Sequence, residues 1–108
     1  MTPLDRLRKI CLALPDSVET ITWGHPNFRV GKKIFAAYEN WKGEDCICFK
    51  CDPEMQDLLV GDPRYFRAPY VGNRGWVSMK VQGRIPWKKL EALVERSYEL
   101  VGAPKAKR

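Results

Sequence analysis

The chain has 108 residues, 44% apolar and 30% charged, with four cysteines, one histidine and a formal net charge of +6. This length and apolar content set one folded domain, residues 1–108, and exclude a disordered chain. No apolar run approaches the roughly 20 residues of a membrane span, and no positive-then-apolar leader opens the chain. The expected location is therefore the cytoplasm, with no membrane partner.

The first predicted element is a helix over residues 3–14. Thr2 is a candidate cap, Pro3 suits a first turn, and Leu4, Leu7, Cys11 and Leu14 form an apolar stripe. Strand-like runs follow. Val18 to Trp23 is rich in β-branched and aromatic types, and 24–27 is a turn cluster. Phe28 to Val30 and Lys32 to Tyr38 suggest a hairpin around Gly31, with another turn at 40–43. Asp45 to Lys50 alternates, Ile47 and Phe49 to one face, Cys46, Cys48 and Lys50 to the other. These turns are too short for helical crossovers, so the spacing predicts an antiparallel meander.

Asp52-Pro53 opens a short helix with Met55, Leu58 and Leu59 expected inward, ended by Gly61. Arg64 to Phe66 suggests an edge strand. The loop 68–75 carries two glycines and a proline, which suits close approach of backbone to a ligand. Trp76 to Val81 reads as a strand with Val77, Met79 and Val81 toward the core and Trp76, Ser78 and Lys80 opposite. The last helix runs over about 86–101, burying Trp87, Leu90, Val94, Tyr98 and Val101. Residues 103–108 are expected to be a frayed basic tail. The predicted class is α+β, an antiparallel sheet with helices packed on it.

The cysteines do not have metal spacing. Cys48 and Cys51 form a lone CxxC, and His25 lies far upstream, so no zinc site and no disulfide are expected; the thiols read as small apolar fillers.

Charge is unevenly placed. Between Pro63 and Leu90 stand seven basic residues, no acidic one and five aromatics, so the remainder of the chain nets to −1. Localised positive charge attracts polyanions, and aromatics among the cations offer stacking surfaces. The last helix carries Glu91, Glu95 and Glu99 on one face, and Asp52, Glu54, Asp57 and Asp62 surround the middle helix, so neither helix suits a DNA groove. The hairpins and loops are the candidates instead: Arg29, Lys32, Lys33, Arg67, Tyr70, Arg74, Trp76, Lys80 and Arg84. Arg74, between two glycines, stands out. Trp76 and Lys80 share a strand face, a stacking platform beside a cation unless a helix covers that face too. Arg29 is a candidate phosphate ligand or a partner for Glu19.

Two stretches are similar to a known family. Residues 22–30, Thr-Trp-Gly-His-Pro-Asn-Phe-Arg-Val, resemble the WGxPxFRV signature of the MmcQ/YjbR family, continued by Lys33-Ile34-Phe35-Ala36. Residues 68–77 resemble that family's P-Y-hydrophobic-G-x-x-G-W segment, and Ser97-Tyr98-Glu99-Leu100-Val101 its final helix. The resemblance implies a frataxin-like (CyaY-like) double-wing arrangement and a DNA-binding label that rests on fold analogy. In that signature Trp23 and Phe28 read as core, and Gly24 and Pro26 as turn formers. The resemblance carries over no catalytic residue.

The sequence has no GxSxG, P-loop or HExxH pattern, so a binding module is favoured over an enzyme, with no catalytic residues and no cofactor. An iron role by analogy to frataxin is disfavoured, because Asp5 is the only acid of the first helix. The leading expectation is nucleic-acid (DNA) binding of low sequence specificity through the basic hairpins and the Arg/Trp loop. The alternative is a protein- or small-anion-binding module in which the Gly-rich loop holds the anion through backbone N–H groups.

Overall fold

The computed structural model describes residues 1–102; the predicted basic tail lies outside the described residues. The fold is α+β. Helix α1 (Pro3–Leu12) leads into strands β1 (Ser17–Thr22), β2 (His25–Val30), β3 (Lys33–Trp41) and β4 (Glu44–Lys50). Helix α2 (Pro53–Leu59), β5 (Tyr65–Arg67), a 3-10 turn (Gly72–Arg74), β6 (Trp76–Lys80) and α3 (Trp87–Gly102) follow. All six strands form one antiparallel sheet in the order β1-β2-β3-β4-β6-β5. The meander is thus continuous from β1 to β4, and β6 inserts between β4 and the short edge strand β5.

Local chemistry explains the element boundaries. Thr2 caps α1 reciprocally with Asp5, each side chain accepting from the other's backbone N–H. The turns β1–β2 and β3–β4 are two residues long, Trp23-Gly24 and Lys42-Gly43, and all four residues have positive φ. That backbone matches the twist of a hairpin. The first turn is therefore earlier than the predicted 24–27 cluster, and His25, Pro26 and Asn27 are strand residues.

One face of the sheet carries the core. Leu7 and Cys11 of α1, Phe28, Val30, Phe35, Ile47, Phe49, Val77 and Met79 of the sheet, and Leu90, Val94 and Tyr98 of α3 form one buried cluster. The register slips between Phe28 and Arg29, leaving Phe35 as an extra residue on β3, and both Phe35 and Ala36 turn into the core. A bulge frees backbone groups. Ser97 of α3, fully buried, donates its hydroxyl to the Phe35 carbonyl at 2.6 Å and accepts the Lys50 N–H at 2.8 Å. Phe35 also meets Tyr98 edge-on at 5.3 Å, and the Tyr98 hydroxyl donates to the Pro15 carbonyl.

Helix α2 departs from the expectation. Met55 and Leu58 face solvent, Leu58 with 72% exposure; Leu59 points inward as expected, and Gln56 joins it. The Gln56 amide donates to the carbonyls of Gly72 and Trp76, which sets the helix's rotation. Asp52 stands at the N-cap without a cap hydrogen bond, because its carboxylate takes both oxygens to Arg96 of α3 at 2.9 and 3.0 Å. Among the described residues no helix is long and apolar enough to cross a membrane.

Candidate functional site

Among the described residues, no helix packs on the small apolar cluster of the sheet's other face. The register lays one rung of side chains across it: Thr20, Asn27, Ala37, Cys48, Ser78 and Phe66, one from each strand. The middle of this rung is made of small residues, as is Cys46 beside it, while large aromatics stand around them. The result is a groove of about 520 Å³ with Ala37, Cys46, Cys48 and Ser78 on the floor and Trp23, Trp41, Tyr70 and Trp76 in the walls. Phe66 and Trp76 pack on Ala37, Cys46 and Cys48 as a second apolar cluster, separate from the main core.

Two of the aromatics occupy unusual positions. Trp23 is 93% exposed at φ +55, and Tyr70 is 94% exposed at φ +70. A bulky residue rarely adopts positive φ, and here two of them do so beside one groove. Trp23 is therefore not a core residue. The two-residue turn projects its side chain from the hairpin tip over the groove.

The thiols of the floor are held in the protonated form. Burial, reinforced by Glu39, holds Cys48 well above the ordinary thiol range, and burial with Glu44 and Glu39 pushes Cys46 up to about 11. Cys48 sits 3.2 Å from the Ser78 hydroxyl and donates weakly to Glu39 at 3.7 Å. All four cysteines are buried and free, Cys11 and Cys51 in the main core. Among the described residues no group of three or more His, Cys, Asp or Glu is arranged to hold a metal ion.

Strand register divides the sequence-predicted site residues between two ends of the sheet. Val30 lies opposite Lys33 and Lys50 opposite Trp76, and β5 ends opposite the start of β6. Arg29, Lys32, Lys33, Arg67, Tyr70, Arg74 and Trp76 are thereby placed at one end. Lys80 closes β6 at the other, and Arg84 lies beside it, its carbonyl accepting from Arg64. The two hairpins therefore do not bring all nine residues into one zone.

Their charges also differ in availability. Arg67 is paired with Asp57 at 2.6 Å, and Lys80 with Glu44 at 3.9 Å. Arg29 does not pair with Glu19, which faces the helical side and binds Arg8 at 2.9 Å. The Arg29 guanidinium instead donates to Thr20, Thr22 and the Lys32 carbonyl, all neutral acceptors. Among the described residues Arg29, Lys32, Lys33, Arg74 and Arg84 have no carboxylate within salt-bridge distance.

The loop 68–75 spends part of its amide donors on itself. The N–H groups of Val71, Arg74 and Gly75 donate to carbonyls within the loop. Its glycines answer to packing: a Cβ on Gly72 would meet Arg67 Cβ at 2.9 Å, and one on Gly75 would meet the Cys51 carbonyl at 2.6 Å. Sequence reasoning missed Lys50, Trp23, Trp41 and Glu39, all on or around the open face. The alternation of β4 had placed Lys50 on the side of Cys46 and Cys48, so that one signal was present.

The sequence model of the YjbR family matches residues 12–100. The chain belongs to the YjbR family. Its fold is shared by the Deinococcus radiodurans protein DR2400, a DUF419-domain protein, with 26% identity and a TM-score of 0.81 over 95% of this chain and 80% of that one. A Pseudomonas syringae protein solved in a structural-genomics programme has 21% identity and a TM-score of 0.73, covering 93% and 98% of the two chains, and supports the fold alone. A comparison with curated proteins finds no match.

Proposed function

We propose that this protein is a non-catalytic binding module that holds single-stranded nucleic acid on the open face of its sheet. The observation that carries this reading is the open groove: small residues on its floor, four aromatics around it, and cations free of carboxylate partners at one end. Bases stack on aromatic faces with little sequence preference, and phosphates are neutralised by Arg29, Lys32, Lys33 and Arg74, with Lys50 beside Trp76. The helical side, with Glu91, Glu95 and Glu99 exposed, repels the backbone. A duplex is a poorer fit, because its stacked bases cannot enter the groove. Four buried, reduced thiols fit the cytoplasm as the working compartment.

Tryptophan fluorescence during titration with an oligothymidylate of about 12 residues tests this reading. Four phosphate contacts on a single strand give a log–log salt slope of about −3. An affinity that does not change between low and moderate salt removes the proposal.

One observation favours a second reading, a module for a small organic ligand. Among the described residues Glu39 is the single charged residue of the groove lining, and the volume falls in the usual range of ligand sites. A small anion is less favoured, since the N–H groups of Val71, Arg74 and Gly75 are bonded within the loop. Under this reading a discrete metabolite raises the melting temperature, and nucleic acid does not.

A further inference from the structure

We infer that Glu39 gives the open face a preference for guanine. The inference rests on the nucleic-acid reading above.

Glu39 stands opposite Cys46 on the open face of β3 and lines the groove. Among the described residues no cation lies within salt-bridge distance of it. The hydrogen bond it does receive comes from the Cys48 thiol at 3.7 Å, a weak donor. Trp41 is its next neighbour on the same strand face, about 7 Å along the chain. The Lys42 ammonium stands over the Trp41 ring at 5.5 Å, so a base that stacks on the ring's other face, or displaces Lys42, brings its edge to the carboxylate.

A carboxylate accepts hydrogen bonds and donates none. Phosphate is also acceptor-only, so the backbone is excluded from this point and must run along the cationic end. What Glu39 accepts from is a base edge. Thymine and uracil present one ring N–H between two carbonyl oxygens, which face the carboxylate unfavourably. Adenine and cytosine present an amine next to a ring acceptor. Guanine presents two adjacent donors, N1–H and the 2-amino group, parallel and spaced for both carboxylate oxygens. A two-point charged hydrogen bond of this kind is the strong one. A base without those donors leaves the carboxylate desolvated and unpaired, which penalises the wrong ligand.

The test uses the whole protein and oligonucleotides of about 12 residues: a thymine–guanine repeat, the same repeat with hypoxanthine for guanine, and all-thymine. Hypoxanthine lacks only the 2-amino group. The wild type is expected to bind the guanine repeat about tenfold more tightly than either control, within the range of a two-point base contact. Glu39→Gln brings the three ligands within about twofold while the salt slope on all-thymine stays unchanged, because the phosphate contacts are intact. Glu39→Ala provides a second variant, with circular dichroism to check folding. Equal wild-type affinities, or a guanine preference that survives both substitutions, overturn the inference and leave the nucleic-acid reading standing. If no oligonucleotide binds at low salt, the reading and the inference both fall. A trimethyllysine peptide that quenches the tryptophans in that case assigns the groove to organic cations.

Discussion

Trp23 sits where local physics asks for something else. Positive φ at both residues of a two-residue hairpin loop favours Asn or Gly, and an exposed indole gains nothing from the core. A residue that breaks a local rule without a packing return points to function. Trp23→Gly is therefore expected to leave stability within about 0.5 kcal/mol of wild type in urea unfolding. The same variant should weaken oligothymidylate binding about tenfold, the scale of one stacked base. An equal loss of stability and binding would return Trp23 to a structural role. Gly75 is the converse case. It has φ +93, and a Cβ there would strike the Cys51 carbonyl at 2.6 Å. Gly75→Ala should cost at least about 2 kcal/mol, read from the denaturation midpoint. Such a loss reports the packing of the loop and not a ligand contact.

At the scale of elements, the β3 bulge and α3 are made for each other. Ser97 satisfies two backbone groups that the bulge leaves without a ladder partner. Ser97→Ala should destabilise by about 2 kcal/mol, the cost of buried polar groups left unmade, with Ser97→Thr tested as a partial rescue. Hydrogen exchange at Lys50 should accelerate in the alanine variant, because its N–H loses that acceptor. Most elements were legible in the sequence because their signals are local. The glycine turns, the alternation in β4 and β6 and the cap at Thr2 are read within a few residues. The orientation of α2 was not, since two turns of helix hold too few residues to define a phase. Tertiary hydrogen bonds from Gln56 decide it instead, and so Met55 and Leu58 face outward. Trp23 was misplaced for a different reason: hydrophobicity alone cannot tell a buried indole from a presented one. The groove itself needs Ala37, Cys48 and Ser78 side by side, and no local pattern encodes that juxtaposition. The pairings of Arg67 with Asp57 and Arg96 with Asp52 are likewise tertiary.

For the molecule as a whole, the sheet separates two jobs. One face is buried under helices and holds the fold together; the other is left open. Net charge follows the same division only in part, since Lys80 and Arg84 lie at the end away from Arg29, Lys33 and Arg74. Global stability should fall in acid for identifiable reasons. Hydrogen bonds from the Thr2 hydroxyl and backbone hold Asp5 below the usual carboxylate value of 3.8, and those from Arg96 do the same for Asp52. Groups depressed in the fold add stability that is fully present above the unfolded value and lost as pH falls through the folded one. The melting temperature is thus expected to hold from neutral pH down to about pH 4 and to decline below it. Asp52→Asn should lower it at neutral pH and flatten the acid limb; an unchanged slope would remove Asp52 from the explanation. The alkaline limb has the opposite sign. Burial, with Asp52 nearby, pushes Cys51 up to about 11 from 9.0, so its contribution is present below 9.0 and fades as pH rises toward the folded value.

Amide chemical shifts, followed by NMR while an unlabelled oligothymidylate is added at low salt, show directly which face of the sheet a nucleic acid touches. Perturbations should concentrate at Trp23, Ala37, Trp41, Cys48, Tyr70 and Ser78, with smaller ones at Arg29 and Arg74, while Glu91 and Glu95 on α3 stay still. Perturbations centred on the helices, or none at saturating oligonucleotide, would contradict the assignment of the open sheet face as the binding surface.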